Sequence, residues 1–346
     1  MTDSTAAGTR MTADQPRFAP EAAAALARDL FGLTGRLDPL TSERDQNFRL
    51  TAEDGRRYVL KIANAAEPRE VTNFQTRALA HIARTAPDLP VQRVIASVNG
   101  QEETLLPDGH VLRLLTWLDG TPLHVAPASP VLRRSVGRSA ASLTRALEGF
   151  SHPAEDHELI WDIRNAGKLR PLLGSVPEPG LRGLCTKALD RFDAETGPAL
   201  AALPWQVVHA DFNPHNLLTG PDATDITGIL DFGDMVRTAR VCDLAVAASY
   251  HADPARPLES LGDVIAGWHS VLPLLSGEQA LILDLVALRM VTTAVLSNWR
   301  AARQPENAAY FLRNLPSSRA GFEALAAIDR AEAQRRLADT LAKEQP

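Results

Sequence analysis

Hydrophobic residues recur with two different periods along this chain, and the change of period divides it. Pro20-Glu21 followed by Ala22-Ala23-Ala24-Ala25-Leu26-Ala27-Arg28-Asp29-Leu30-Phe31 reads as a helix with Pro in its first turn and Gly32 as its C-terminal cap. From Arg36 the pattern is that of strands, with Phe48-Arg49-Leu50 and Tyr58-Val59-Leu60-Lys61-Ile62 flanking the hairpin pair Asp54-Gly55. Asn99-Gly100 and Asp108-Gly109 repeat that signal between Val94–Val98, Thr104–Leu106 and Val111–Trp117. About five antiparallel strands are expected here, interrupted by one helix over roughly Pro68 to Arg84. Beyond Asp119 apolar positions fall three and four apart. They predict helices over Val131–Leu147, Ile160–Leu173, Leu181–Phe192, Val241–Tyr250, Leu261–Val271 and Gln279–Ala302, and a mixed-charge terminal helix over Arg319–Ala342. The fold class expected is α+β in two lobes: a small antiparallel-sheet lobe over residues 18–118 and a larger, mainly helical lobe over 119–346. Residues 1–17 are polar with scattered alanines and no apolar core, and read as a disordered leader.

The one break in the helical pattern carries the chemistry. Val207-Val208 leads into His209-Ala210-Asp211-Phe212-Asn213-Pro214-His215-Asn216, Leu217-Leu218 leads out, and Gly228-Ile229-Leu230 ends in Asp231-Phe232-Gly233-Asp234. Kinase chemistry needs an Asp beside the acceptor hydroxyl, an Asn five residues on that binds metal, and a second metal-binding Asp after the next hairpin. Asp211, Asn216 and Asp231 occupy those places, with Asp-Phe-Gly written out. A lone Asp in a turn commonly just caps backbone N–H groups, but here the spacing, the flanking strands and the second Asp agree. Asp211 is therefore the candidate catalytic residue, and Asn216 and Asp231 the candidate Mg2+ ligands.

Lys61, at the end of the second hairpin strand, can reach nucleotide phosphates; the plain alternative is an edge-strand lysine. Its carboxylate partner is expected on the following helix, where Glu70 is the only well-placed acid and Asn73 lies one turn on. The loop Thr41 to Asn47 lacks Gly-x-Gly; Ser42 and its backbone N–H groups can cover phosphates, or the loop is a solvated turn. Thr116-Trp117-Leu118 precedes Asp119-Gly120-Thr121-Pro122, and exposed backbone there is suited to a purine edge. Asp234 and Arg289 are candidate substrate groups, with Arg237, Arg240 and Arg300 as further cations. His209 reads as structural, His215 as polar surface and Asp243 as a cap or brace on the catalytic loop.

The loop around Asp211 resembles that of the aminoglycoside phosphotransferase and choline kinase superfamily, in which the Arg of the protein-kinase His-Arg-Asp is typically small, here Ala210. Ser42-Glu43-Arg44-Asp45-Gln46-Asn47-Phe48, Leu60-Lys61-Ile62, Trp161-Asp162 and His209 to Asn213 together are similar to its hydroxylysine kinase branch, over nearly the whole chain after Pro20. Asn73 departs from that branch, which carries Glu at this place. The resemblance implies a protein-kinase-like fold, Mg2+, GTP as donor with ATP the alternative, and 5-hydroxylysine as acceptor. Aminoglycoside, homoserine or choline kinase activity stays open, as does a nucleotide-binding pseudokinase with a regulatory part.

Composition narrows the partners. A net charge of -6 argues against a nucleic-acid binder and is compatible with a cationic substrate. Cys185 and Cys242 have no metal or redox spacing, no run is expected to approach the length of a transmembrane helix, and a cytoplasmic location without membrane attachment is expected.

Overall fold

The computed structural model describes residues 15–42 and 44–343, so the leader expected over residues 1–17 falls largely outside the described residues. The fold is α+β, with an antiparallel sheet toward the N-terminus and helices toward the C-terminus. It divides into two compact units. The first takes the chain up to Asp119 with Phe150–Glu158 and Gly228–Gly233, and the second takes Gly120–Gly149, Leu159–Thr227 and the chain from Asp234.

In the first unit, helix α1 (Pro20–Phe31) ends at Gly32, whose left-handed φ of 65° returns N–H groups to Ala27 and Arg28. Six strands follow: β1 (Gly35–Leu40), β2 (Gln46–Ala52), β3 (Arg57–Ile62), β4 (Val94–Ile95), β5 (Thr104–Leu105) and β6 (Val111–Thr116). Their order is β1-β2-β3-β6-β4, with β5 also on β6, and each of these pairings is antiparallel. Alternate residues Phe48, Leu50, Leu60, Ile62, Leu112 and Leu114 point into one core against Ala23 and Ala27 of α1. The register sets Lys61 opposite Asn47 on β2 and opposite Arg113 on β6. Helix α2 (Arg69–Thr85) buries Val71, Phe74, Ala78, Leu79 and Ile82, the helical spacing legible in its sequence. The strand expected over Val94–Val98 stops at Ile95, because Ser97 N–H bonds Gln101 O and Val98 N–H bonds Leu30 O, and the chain turns at Gly100.

The second unit contains the short strands β7 (Thr121–Pro122), β8 (Trp205–Val208), β9 (Leu217–Thr219) and β11 (Val236–Ala239), while β10 (Ile226–Ile229) carries the chain on toward Asp231. β7 pairs with β9 and β8 with β11. Its long helices are α3 (Pro130–Ala146), α4 (Pro179–Arg191), α5 (Val241–Ser249), α6 (Pro257–His269), α7 (Ser276–Arg303), α8 (Leu315–Ala326) and α9 (Arg330–Ala342). Helices α3 and α6 meet backbone to backbone, since a Cβ on Gly137 or Gly267 would fall 1.9 Å from Val264 O or 2.1 Å from Arg134 O.

Three expectations are corrected. The helix expected over Ile160–Leu173 is a run of 3₁₀ turns over Ile163–Ser175, where Pro171 offers no N–H to an α-helical ladder. The terminal helix is two, because Asp329 accepts from Glu332 N–H and starts α9 afresh. Helix α7, at 28 residues and mean hydropathy 1.8 over its most apolar window, is long and apolar enough to cross a membrane; 83% of that window is buried within the protein, as in a core helix.

Candidate active site

In the first unit the functional side chains converge on the end of β3. Lys61 Nζ lies 2.9 Å from Asp45 Oδ2 and 3.5 Å from Asp231 Oδ1. Burial works against the ammonium, but Asp231 and Asp45 outweigh it and hold Lys61 above the usual lysine range. Burial likewise opposes charge on Asp45, and Lys61 with the Asn64 N–H overcomes it, so Asp45 sits below the usual carboxylate range. Both groups are therefore held ionised. Glu70, expected to face Lys61, is exposed at the start of α2, and Asn73 instead donates to Glu103 Oε1 at 2.8 Å and meets His152 Nε2. The reason is steric and electrostatic: Arg113 lies beside Lys61 in register and faces α2 through bonds to Gln75 Oε1 (2.9 Å) and Thr76 Oγ1 (3.4 Å). The helix therefore meets a guanidinium with amide and hydroxyl groups. Gln75 also reaches Gly233 O at 3.4 Å, which ties α2 to the Asp-Phe-Gly segment.

Asp231 adopts a left-handed φ of 56°, a conformation non-glycine residues hold only when their surroundings determine it. Its Oδ1 accepts from Gly233 N–H at 3.1 Å, and its side chain is 51% exposed. Ser42 lies half-buried in the turn between β1 and β2, with its carbonyl accepting from the Gln15 carboxamide. The segment expected to meet a purine narrows. Thr116 N–H donates to Arg93 O, its carbonyl accepts from Gln92 Nε2, and Trp117 N–H donates to Arg57 O. Within the strip Thr116 to Leu118, the Trp117 carbonyl and both the N–H and the carbonyl of Leu118 have no partner among the described residues. The Trp117 ring lies under Arg49 and Arg57, 5.7 and 5.9 Å from its centroid.

In the second unit the loop after β8 turns sharply. Ala210 has φ 62°, and its N–H donates to Asp243 Oδ1 at 2.8 Å while Asp243 Oδ2 accepts from Thr144 Oγ1 at 3.1 Å. Asp243 is thus a brace on the loop, fully buried and pushed up by that burial against the opposing His209. His209, also buried, accepts Asp211 N–H at 3.3 Å through Nδ1, a structural part. The Asp211 carboxylate is held on both sides: Oδ2 accepts from Asn213 Nδ2 at 2.9 Å and Asn216 Nδ2 at 2.8 Å, and Oδ1 faces Arg289 Nη2 at 3.4 Å. Burial and the nearby Asp234 push Asp211 above the usual carboxylate range, against the pull of Arg289. Asn216 commits its amide nitrogen to Asp211, which leaves the amide oxygen for a cation. Magnesium takes oxygen ligands, commonly one or two side chains completed by phosphate oxygens and water, and the Asn216 amide oxygen in the second unit and the Asp231 carboxylate in the first are each, taken singly, oxygen donors of that kind. Among the described residues no cluster of three or more His, Cys, Asp or Glu forms a ready metal cage.

Arg289 is not the exposed substrate cation its polar character suggested. It is 2% exposed, stacks 5.1 Å from the Trp161 ring centroid, and donates to Trp161 O (3.1 Å) and Tyr250 Oη (3.0 Å) as well as facing Asp211. Arg240 is held by Glu278 at 2.7 and 2.9 Å, Arg237 lies over Trp205, and Arg300 is buried over Phe311. His215 stacks on His124 with centroids 4.2 Å apart, and burial, Arg313 and His124 lower it to about 4. Asp45, Arg113, Asn213 and Tyr250 were not singled out by sequence reasoning. Asn213, two residues after Asp211, was the one with a local signal, because an Asn there can fold back on the carboxylate.

A model of the phosphotransferase enzyme family matches residues 36–274. The chain is 30% identical over 305 residues to a hydroxylysine kinase of Danio rerio, covering 83% of this chain and 85% of that one. It is 29% identical over 331 residues to a hydroxylysine kinase of Mus musculus, covering 86% of each. Its fold matches that of the amicoumacin kinase hAmiN, solved with AMP-PNP, Ca2+ and Ami, at a TM-score of 0.67 and 15% identity over 91% of this chain and 97% of that one. A microcompartment-associated aminopropanol kinase matches at 0.65 and 17% identity, over 92% and 98%.

Proposed function

The chain belongs to the phosphotransferase enzyme family, and from that premise we propose that it transfers the γ-phosphate of GTP or ATP to the side-chain hydroxyl of a small amino acid or amino alcohol, with 5-hydroxylysine first. It is a small-molecule kinase. The observation that carries the reading is the Asp211 carboxylate, held by two Asn amides and one buried Arg and pushed toward accepting a proton. An acceptor hydroxyl beside it gives up its proton to Asp211 as its oxygen attacks the γ-phosphorus, and the bond from that phosphorus to the bridging oxygen breaks to release the nucleoside diphosphate. Lys61 orients the donor phosphates, and the Trp117 carbonyl and Leu118 N–H read the purine edge. Asn216 and Asp231 hold Mg2+, which when bound neutralises charge on the phosphate oxygens. Asp234 faces the acceptor ammonium, its charge already felt by Asp211 and Arg289. The reaction takes place in the cytoplasm. Preference for hydroxylysine over aminoglycosides, homoserine or choline rests on likeness to the hydroxylysine kinases over most of both chains. The test is nucleoside diphosphate release from GTP and from ATP with hydroxylysine, homoserine, choline and kanamycin. The expected order has hydroxylysine first; kanamycin turnover above hydroxylysine turnover removes the substrate assignment, and no turnover with any acceptor favours a pseudokinase.

A further inference from the structure

We infer that Asp45, in the turn between β1 and β2, is the positioning carboxylate of the Lys61 ammonium, the part that protein kinases give to an acid on the helix following the lysine strand. The inference rests on the reading of Lys61 as the phosphate-orienting cation. Lys61 and Asp45 side chains are 11% and 18% exposed, so each charge needs a fixed partner within the protein. Asp45 uses both oxygens: Oδ2 meets Lys61 Nζ at 2.9 Å, and Oδ1 accepts Asn64 N–H at 3.0 Å. Asn64 then ties the turn a second time, donating its carboxamide to Arg44 O at 3.1 Å while its amide oxygen accepts Ala66 N–H at 2.9 Å. The carboxylate is thus held between the end of β3 and the segment leaving it, with little freedom to follow a moving lysine.

The α2 helix has no acid to offer in its place. Its first turn points Glu70 to solvent, and Gln75 and Thr76 are occupied by Arg113. Asp231, at 3.5 Å, is the other carboxylate on Lys61, and its assigned part is to ligate metal. A lysine that lies beside Arg113 in register needs an anion of its own to stay put when a polyphosphate arrives, and Asp45 is that anion. Because Ser42 belongs to the same turn, the Asp45–Lys61 pair also fixes where this glycine-free loop lies.

The experiment compares the parent with Asp45→Asn, Asp45→Glu, Lys61→Met, the Lys61→Met/Asp45→Asn double variant and Glu70→Gln. Calorimetric binding of AMP-PNP and GMP-PNP with Mg2+ is read alongside KM and kcat. Asp45→Asn is expected to weaken nucleotide binding and raise nucleotide KM on the order of tenfold, with a smaller change in kcat. Asp45→Glu recovers part of the loss, Glu70→Gln stays within about twofold, and Asp45→Asn adds less than about twofold on the Lys61→Met background. Nucleotide binding by Asp45→Asn within twofold of the parent overturns the inference. So does an equal loss on both backgrounds, which marks Asp45 as a part of the fold only. Should Asp45→Asn yield little folded protein, Asn64→Ala loosens the same turn and carries the same paired comparison. A parent that binds nucleotide but phosphorylates no hydroxyl amine defeats the functional reading, while the binding cycle still decides Asp45.

Discussion

The two units treat charge in opposite ways. In the first, Lys61 is raised and Asp45 lowered, so each ion stabilises the other's charged form. In the second, Asp211, Asp243 and Asp162 are all raised, with burial the largest cause in each, so the carboxylates are held against their charge. A neutralised ion pair is a fixed positioning device that changes little when a charged ligand arrives. A carboxylate whose charge is disfavoured is the better proton acceptor, because its basicity is closer to neutrality. The contrast is one of ion pairing against desolvation, with charge favoured at Lys61 and Asp45 and disfavoured at the three buried carboxylates.

The strongest way to break this contrast is at Asp211. Asp211→Asn keeps the amide contacts on one oxygen but removes the proton acceptor, so kcat is expected to fall about 10²–10⁴-fold with nucleotide affinity within about twofold. A variant that keeps more than half of the parent's kcat ends the assignment. Arg289→Met comes next, since it removes the buried cation set among Asp211, Tyr250 and Trp161; a stability loss of about 3–5 kcal/mol is expected in urea melts, with Arg289→Lys in between. Unchanged melts would mean that Arg289 balances nothing.

Asp162 sharpens the comparison through pH. Burial raises it from 3.8 to about 6, although Arg164 lies 2.7 Å away and Thr238 Oγ1 donates to it at 3.0 Å. The native state therefore holds this proton over a window where the unfolded chain releases it. Stability from this group is full below the unfolded value and is lost as pH rises through the folded one, on the order of 3 kcal/mol. Asp162→Asn should remove that part of the slope, and parent and variant curves staying parallel from pH 4 to pH 7 would refute it. In the first unit, Asp231→Asn should raise the Mg2+ concentration for half-maximal rate on the order of tenfold. Superimposable Mg2+ titrations would dismiss Asp231 as a ligand. Glu70→Gln, the smallest, should leave kcat/KM within about twofold, because an exposed carboxylate with no partner among the described residues contributes little. A sharp drop would restore the helix acid in place of Asp45.

Local order carried much of this protein. The hairpin at Asp54-Gly55, the cap at Gly32 and the helix over Arg69–Thr85 follow from turn chemistry and apolar spacing within a few residues. The spacing of Asp211, Asn216 and Asp231 likewise lies in the chain itself, because a loop between short strands sets which side chains share a turn. Tertiary structure decided who meets whom across distance. Lys61 and Asp45 are joined by β2–β3 pairing, and Glu70 loses that place because β6 sets Arg113 opposite Lys61 and against Gln75 and Thr76 of α2. Arg289 and Asp211 stand 78 positions apart, and no periodicity reveals that a cation on a core helix turns inward to a loop acid. Pairing across such separations depends on register and on the desolvation of each charge, which are properties of the packed chain and not of any window of its sequence.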